Sequence, residues 1–416
     1  MIQRLETLYY QCLRHVDQDL STSQVLVGPN GSGKTTFLDA IAFLSDLVCD
    51  GLDAAIYKRV NDVHDLFWLQ KADRFELAIE LAVPEVEGRL FGDHEYTRCR
   101  YEIAIGLVED TDEVGILGEK VLLLTDSLRD EVSAQESLFP VDGPAPKTLG
   151  TPRVRGIKTI VNKVPGGNDK FYDETGSGWD PSFKLGARRS ALANLPEDET
   201  RFPVATWLKR LLMDGVLCLN LDSEKLKRPC PPGFARALLA NGANLPWVIA
   251  TLKDKAPAAH SAWVNHLRSV LPNLESVNTV VRPEDRHCYL VARYQNGLEV
   301  PSWMLSDGTL RLFALTQLAY LPDFEGVCLI EEPETGLHPG AVETVFRSLS
   351  AVPHAQVLMT THSPVILNVS EPNHLLCFSP SDTGATKIVL GETHETLNAW
   401  RTRTDLSALY AGGVLR

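Results

Sequence analysis

One stretch constrains the chain above all others: Gln24-Val25-Leu26-Val27 runs straight into Gly28-Pro29-Asn30-Gly31-Ser32-Gly33-Lys34-Thr35-Thr36. The first four residues form a short apolar strand that stops at Gly28. A helix is predicted to begin near Gly33, because Phe37, Leu38, Ile41, Leu44 and Leu47 then fall on one side. Strand, glycine-rich turn of the form G-x-x-x-x-G-K-T, and helix are together the local context of a phosphate-binding loop. The glycines let the backbone curl until the N–H groups from Asn30, Gly31, Ser32, Gly33, Lys34, Thr35 and Thr36 face a phosphate at the positive helix end. Lys34 then bridges the β- and γ-phosphates of a nucleotide, and the Thr35 hydroxyl ligates Mg²⁺. A bare glycine turn would need neither flanking element.

Three later motifs extend this chemistry. Val327-Cys328-Leu329-Ile330 is an apolar strand ending in Glu331-Glu332-Pro333-Glu334. One carboxylate at such a tip holds the metal, directly or through water, and the next orients or deprotonates an attacking water. We assign Glu331 to the metal and Glu332 to the water; the more usual first acid is Asp, one methylene shorter. Gln356-Val357-Leu358-Met359 is a second apolar strand, ending at Thr360-Thr361-His362. The His362 imidazole there suits a hydrogen bond to a γ-phosphate and a response to its loss. Ser306-Asp307-Gly308 precedes a helical stretch with Leu310, Phe313, Ala314, Leu318 and Leu321. Ser306 or Asp307 serves as its N-cap. In the functional reading Ser306, the Gly308 amide and the helix end face a γ-phosphate held by another protomer. Arg311, one turn on, suits a carboxylate or a phosphate. Gln70 is the candidate for a glutamine linking the phosphate-loop lobe to the inserted region, and a plain surface glutamine fits it equally.

Between these motifs the chain changes character. Phe75, Leu77, Ile79, Leu81 and Val83 alternate with Glu76, Ala78, Glu80 and Ala82, a strand pattern with one polar face. Tyr101, Ile103, Ile105 and Leu107 repeat it, and Glu119 to Leu124 is a third strand, so an antiparallel sheet is expected. From Ser127 to Ser190, Pro and Gly interrupt any period, and loops with short strands are expected. Lys147, Arg153, Arg155, Lys158, Lys163, Lys170, Lys184, Arg188 and Arg189 crowd this stretch, either tracking phosphates or simply solvating a loop. Leu245, Val248, Ile249 and Leu252 restore a helical period, as do Trp263, Leu267, Val270 and Leu271; Cys288 to Val300 suits a hairpin turning at Asn296-Gly297. No heptad repeat bridges Lys34 and Ser306. Three segments are therefore expected: 1–126 with the phosphate loop and antiparallel strands, 127–285 as an insertion, loop-rich then helical, and 286–416 with the later motifs.

Composition narrows the setting. A net charge of −14 argues against a protein coated in nucleic acid, though not against a local basic groove. The eight cysteines are scattered with no C-x-x-C pair, as expected of reduced core residues. No apolar run is long enough to span a membrane, and the first residues lack a signal-peptide layout, so a cytoplasmic protein with no membrane partner is expected.

VLVGPNGSGKTTFLDAIAFLSDLV, LSDGTLRLFALTQLAYL, CLIEEPETGLHP and TTHSPVIL resemble prokaryotic AAA-type ATP-binding proteins of the RecF and OLD (overcoming-lysogenization-defect) kind, as do GANLPWVIATL and the closing DLSALYAGGVL. The resemblance implies an α/β fold: an ABC-type P-loop ATPase head, a mixed sheet with flanking helices, plus an antiparallel β subdomain and an inserted, mainly helical region. It implies an ATPase using ATP and Mg²⁺, working as a homodimer or higher homo-oligomer with ATP between Lys34 of one chain and Ser306 of the other. The large structural-maintenance ATPases fill the interval between motifs with a coiled coil, which this chain lacks. Many relatives serve anti-phage defence beside a nuclease or toxin. The residues after His362 are too few for the Toprim nuclease domain of OLD proteins, so an effector in trans is expected. A RecF-like repair ATPase contacting DNA, and a scaffold assembled by ATP, are the alternatives.

Overall fold

The computed structural model describes residues 1–86, 89–90, 96–108, 113–125, 145–152, 154–176, 180–234 and 237–394. The chain begins with β1 (Ile2–Tyr10), β2 (Leu13–Asp19), β3 (Ser23–Val27), α1 (Lys34–Asp50), α2 (Leu52–Tyr57) and β4 (Arg74–Ala82). A short pair, β5 (Glu85–Val86) and β6 (Arg89–Leu90), precedes β7 (Arg98–Leu107), β8 (Val114–Leu124), β9 (Ile157–Lys163), β10 (Asp169–Phe171) and β11 (Ser182–Phe183). Next come α3 (Pro203–Asp214), β12 (Val216–Leu219), α4 (Ser223–Lys227), α5 (Leu245–Lys255) and α6 (Pro257–Leu267). Three strands succeed them, β13 (Leu274–Val281), β14 (Cys288–Tyr294) and β15 (Glu299–Pro301). The order ends with α7 (Asp307–Thr316), β16 (Gly326–Glu331), α8 (Pro339–Ser350), β17 (Ala355–Thr360), α9 (Pro364–Val369), β18 (Leu375–Pro380) and β19 (Thr386–Leu390). The stretches 137–143 and 405–415, with Arg153 and Trp179, lie outside the described residues.

These elements fall into two compact units. The first comprises Met1–Ser21, Asn30–Val216 and Phe378–Ile388. Its centre is an antiparallel sheet ordered β11-β10-β9-β8-β7-β4-β1-β2. Register sets Phe75 opposite Ile105, Leu77 opposite Ile103 and Ile79 opposite Tyr101, which makes one face an apolar row. Tyr10 meets Phe75 at 5.0 Å and Phe43 at 6.0 Å between ring centres, fixing α1 to β1 and β4. Every apolar position predicted to line α1 is buried.

The polar face expected along β4 is buried too, not open to water. Glu76, Glu80, Arg100 and Glu102 are all buried. Arg100 donates to Glu6, Glu80 and Glu102 at 2.8, 3.0 and 3.1 Å. Residues 147–151 run over this face, and Glu76 accepts the Thr148 hydroxyl and the Leu149 N–H. Charges survive burial here because each is paired. The basic stretch is partly consumed in the same way: Lys163 pairs with buried Asp169 at 2.9 Å, Arg188 with Asp53 at 3.0 Å, and Lys158 donates to the Glu174 carbonyl. These three are structural cations, which weakens the phosphate-tracking reading.

The second unit comprises Thr22–Pro29, Leu217–Cys377 and the described residues from Val389. Its strands are ordered β12-β16-β17-β3-β18, and the central pairs are parallel. Such strands read as continuous apolar runs because both faces are covered. Leu310 and Phe313 of α7, Val345 and Leu349 of α8, and Ile366 and Leu367 of α9 join that core. α5 and α6 bury Leu245, Val248, Ile249, Leu252, Trp263 and Leu267, as their spacing predicts. Val270 and Leu271 fall beyond the end of α6 and pack against the same core. β14 and β15 form the expected hairpin. The α/β architecture with a separate antiparallel sheet is as expected. The units divide elsewhere than at 126 and 285, because β9, β10 and β11 complete the first sheet by long-range pairing. Among the described residues no helix is long and apolar enough to cross a membrane.

Candidate functional site

In the second unit, register decides which motifs meet. Ile330 pairs with Met359 and Glu331 with Thr360, while Met359 pairs with Val25 and Thr360 with Leu26. Three neighbouring parallel strands thus end level. Gly28 after β3, Thr361-His362 after β17, and Glu331-Glu332 closing β16 leave the sheet at one edge, the carboxyl edge where open α/β sheets bind ligands. The turns are laced together: Thr361 N–H donates to Leu26 O at 3.2 Å, and Glu332 N–H to Thr360 O at 3.0 Å. Glu332 holds a left-handed φ of 44°, a conformation costing a non-glycine residue about 1–2 kcal/mol. Its exposed carboxylate accepts the Thr335 hydroxyl at 3.1 Å. His362 is half-buried, and its N–H donates to Glu334 Oε1 at 2.9 Å. That same oxygen takes the Thr361 hydroxyl at 2.7 Å.

Ser306 is the N-cap of α7: its hydroxyl accepts the Thr309 N–H at 3.2 Å. Asp307 is instead the first helical residue and pairs with Lys227 at 2.5 Å, which holds its carboxyl below the usual range. Gly308 is required by close approach, since a Cβ there would stand 2.8 Å from the Gly336 carbonyl oxygen. The turn after β16 therefore rests on the first turn of α7. Arg311 donates to the Leu221 carbonyl at 3.2 Å, a backbone acceptor rather than a carboxylate. Burial lowers its pKa.

The remainder of the phosphate loop belongs to the first unit. Gly31 and Gly33 sit at φ 75° and 97°. A Cβ on Gly33 would lie 2.3 Å from Thr386 Oγ1 and 3.1 Å from Cys12 Sγ. Thr386 donates its hydroxyl to Ser32 O at 3.0 Å and its N–H to Cys12 O at 3.2 Å. The Cys12 thiol donates to Thr36 Oγ1 at 3.4 Å, and Thr36 donates to Gln11 at 3.3 Å. The loop is thus braced from behind by the β1–β2 turn and by β19. Lys34 is buried, while Asn30 and Thr35 are exposed. No side-chain cap bonds the start of α1, and its first turn carries no acid, an arrangement that suits an anion. The Ser32 hydroxyl is buried without a partner. A left-handed glycine cradle, a buried lysine, an uncapped helix end and an orphan hydroxyl fit a nucleotide phosphate.

Gln70 lies on an exposed turn at φ 55° and donates to Asp65 at 2.8 Å, which makes it a surface glutamine. Among the described residues no three His, Cys, Asp or Glu side chains form a metal cage. Three contributors escaped sequence reasoning. Glu334 stood in the acidic run, and its place beside a Thr-Gly turn was the only signal. Cys12 and Thr386 gave none, being far from the loop in sequence.

Residues 24–92 and 246–368 match the family described as AAA domain, putative AbiEii toxin, Type IV TA system. They contain Gly28 to Thr36, Ser306, Glu331, Glu332 and His362. An Smc head bound to the C-terminal winged-helix domain of ScpA is similar at 16% identity and TM-score 0.52, over 93% of this chain and 97% of that one. The Smc head domain with an extended coiled coil, bound to the C-terminal domain of ScpA derived from Pyrococcus furiosus, gives 16% and 0.50 over 96% and 99%. At that identity the likeness concerns the fold. A head of this fold, with a family match reaching both halves of the motif set, supports a AAA/ABC-class ATP-binding protein.

Proposed function

We propose that the chain binds ATP with Mg²⁺, hydrolyses it, and closes on a second copy of itself while ATP is bound. The level ending of β3, β17 and β16 supports this best, because it gathers the start of the phosphate loop, a histidine and two carboxylates at one edge. Asn30 to Thr36 present backbone N–H groups to the phosphates, and Lys34 neutralises their charge. Thr35 and Glu331 hold the metal, which when bound offsets phosphate charge. Glu332 takes the proton of the attacking water, and His362 senses the γ-phosphate. Ser306 and the Gly308 amide serve the phosphate bound by the second copy.

The cellular role we infer is an ATPase subunit of an anti-phage defence complex, gating a nuclease or toxin effector in trans. The family description, which names a toxin of a toxin–antitoxin system, supports that reading. Glu332→Gln should bind ATP normally yet hydrolyse it roughly 10²-fold more slowly, since an amide accepts no proton. Lys34→Ala should lose most ATP affinity in a binding titration. Wild-type turnover in the first or wild-type affinity in the second would remove the assignment. Co-purification with a neighbour-encoded effector tests the defence role; strong stimulation by DNA without such a partner would favour repair.

A further inference from the structure

We propose that Glu334 is a positioning residue for ATP hydrolysis, acting through His362 without touching the substrate. This rests on His362 being the γ-phosphate sensor proposed above. Glu334 leaves the turn after β16 and reaches the turn after β17. There one oxygen, Oε1, accepts two donors, the Thr361 hydroxyl at 2.7 Å and the His362 N–H at 2.9 Å. The Thr361 hydroxyl in turn accepts the Ser363 N–H at 2.9 Å, and the Thr361 N–H is held by Leu26 O. Three successive residues around the imidazole are thereby pinned, and the pin comes from the neighbouring strand's turn.

The second oxygen explains why this is more than a turn cap. Glu334 Oε2 is buried with no hydrogen-bond partner among the described residues. A buried, half-satisfied carboxylate is costly. An apolar side chain would avoid that cost but would free the His362 backbone. Thr361 is fully buried, so its hydroxyl has no water to turn to once the carboxylate is gone. The same turn carries Gly336, whose carbonyl oxygen rests against Gly308, so Glu334 also links the histidine loop to the first turn of α7.

The test is a double-mutant cycle on ATP turnover. Glu334→Ala should slow kcat about 10- to 100-fold while ATP affinity stays within about twofold, because the phosphate loop is untouched. In a His362→Ala background the same change should alter kcat by less than about twofold. Glu334→Gln should recover most of the loss, since an amide oxygen accepts both donors. Losses that multiply in the double variant, or a Gln variant as slow as Ala, overturn the proposal while leaving the sensor role of His362 intact. Wild-type turnover by His362→Ala would overturn both. Should Glu334→Ala fail to fold, Thr361→Val probes the same bond from the donor: slower turnover at unchanged affinity supports the proposal, and unchanged turnover overturns it.

Discussion

Gly33 carries the tightest steric restriction in the phosphate loop, and it does so from both sides of its Cα. Its φ of 97° disfavours any side chain, and the Thr386 hydroxyl lies 2.3 Å from where a Cβ would sit. Gly33→Ala should therefore cost about 1–2 kcal/mol from backbone strain alone, with the overlap adding to it. Relief comes from turning the Thr386 hydroxyl off Ser32 O or from moving the loop, and either loosens it, so ATP affinity should fall at least roughly tenfold as its N–H groups lose alignment. Calorimetric titration and thermal melting check both, and wild-type values in both would show that the loop has slack. The placement of Gly33, Lys34, Glu331, Glu332, Ser306 and His362 at strand ends or helix starts was legible in the sequence, because apolar runs mark those ends. Glu334, Cys12 and Thr386 were not. Their roles depend on which turns become neighbours, and no local spacing encodes that.

At the scale of elements, apolar periodicity located β4, β7, α1, α5 and α6 but said nothing about what covers them. The acids on β4 marked a polar face; the Arg100 network and the segment over it make that face an interior. Buried carboxylates of this kind leave a mark on pH dependence. Burial pushes the Glu174 carboxyl up to about 7, although it accepts the N–H groups of Val204 and Ala205 at the start of α3. A raised folded-state pKa means the native chain holds that proton more tightly than the unfolded one. The stabilisation is complete below about 4.5, the ordinary value, and is lost as pH rises through about 7. Glu174→Gln should remove this component. Between pH 5 and pH 8 its stability should decline less than that of the wild type, by on the order of 1–3 kcal/mol. Chemical denaturation at the two pH values measures the difference. Identical pH slopes in the two proteins would mean that Glu174 ionises no differently in the folded chain.

At the scale of the whole molecule, the sequence shows no heptads, and among the described residues no helix is longer than α1, at 17 residues. The division into units was less legible. Strands β9, β10 and β11 join the first sheet from beyond a long stretch whose sequence has no period, and pairing partners leave no trace in periodicity. Assembly is the level at which the proposed mechanism is most exposed to test. Ser306 caps α7 with its hydroxyl and is exposed, so the cap does not conflict with the proposed contact to a partner's phosphate. Ser306→Arg should spare ATP binding by the isolated chain yet block closure, because bulk and positive charge enter the shared site. Mixing it with Lys34→Ala gives a sharper answer. A mixed dimer then has one site carrying both lesions and one carrying neither. If subunits exchange freely and one intact site turns over alone, two nearly inactive parents should recover up to roughly a quarter of wild-type ATPase activity, since half the dimers are mixed and each holds one good site. No recovery, with mixed dimers demonstrated by differential tagging, would count against sites shared between chains or against independent turnover. Full activity in Ser306→Arg alone would be more damaging: the serine would then be a helix cap and nothing else, and closure on a second copy would have to be abandoned.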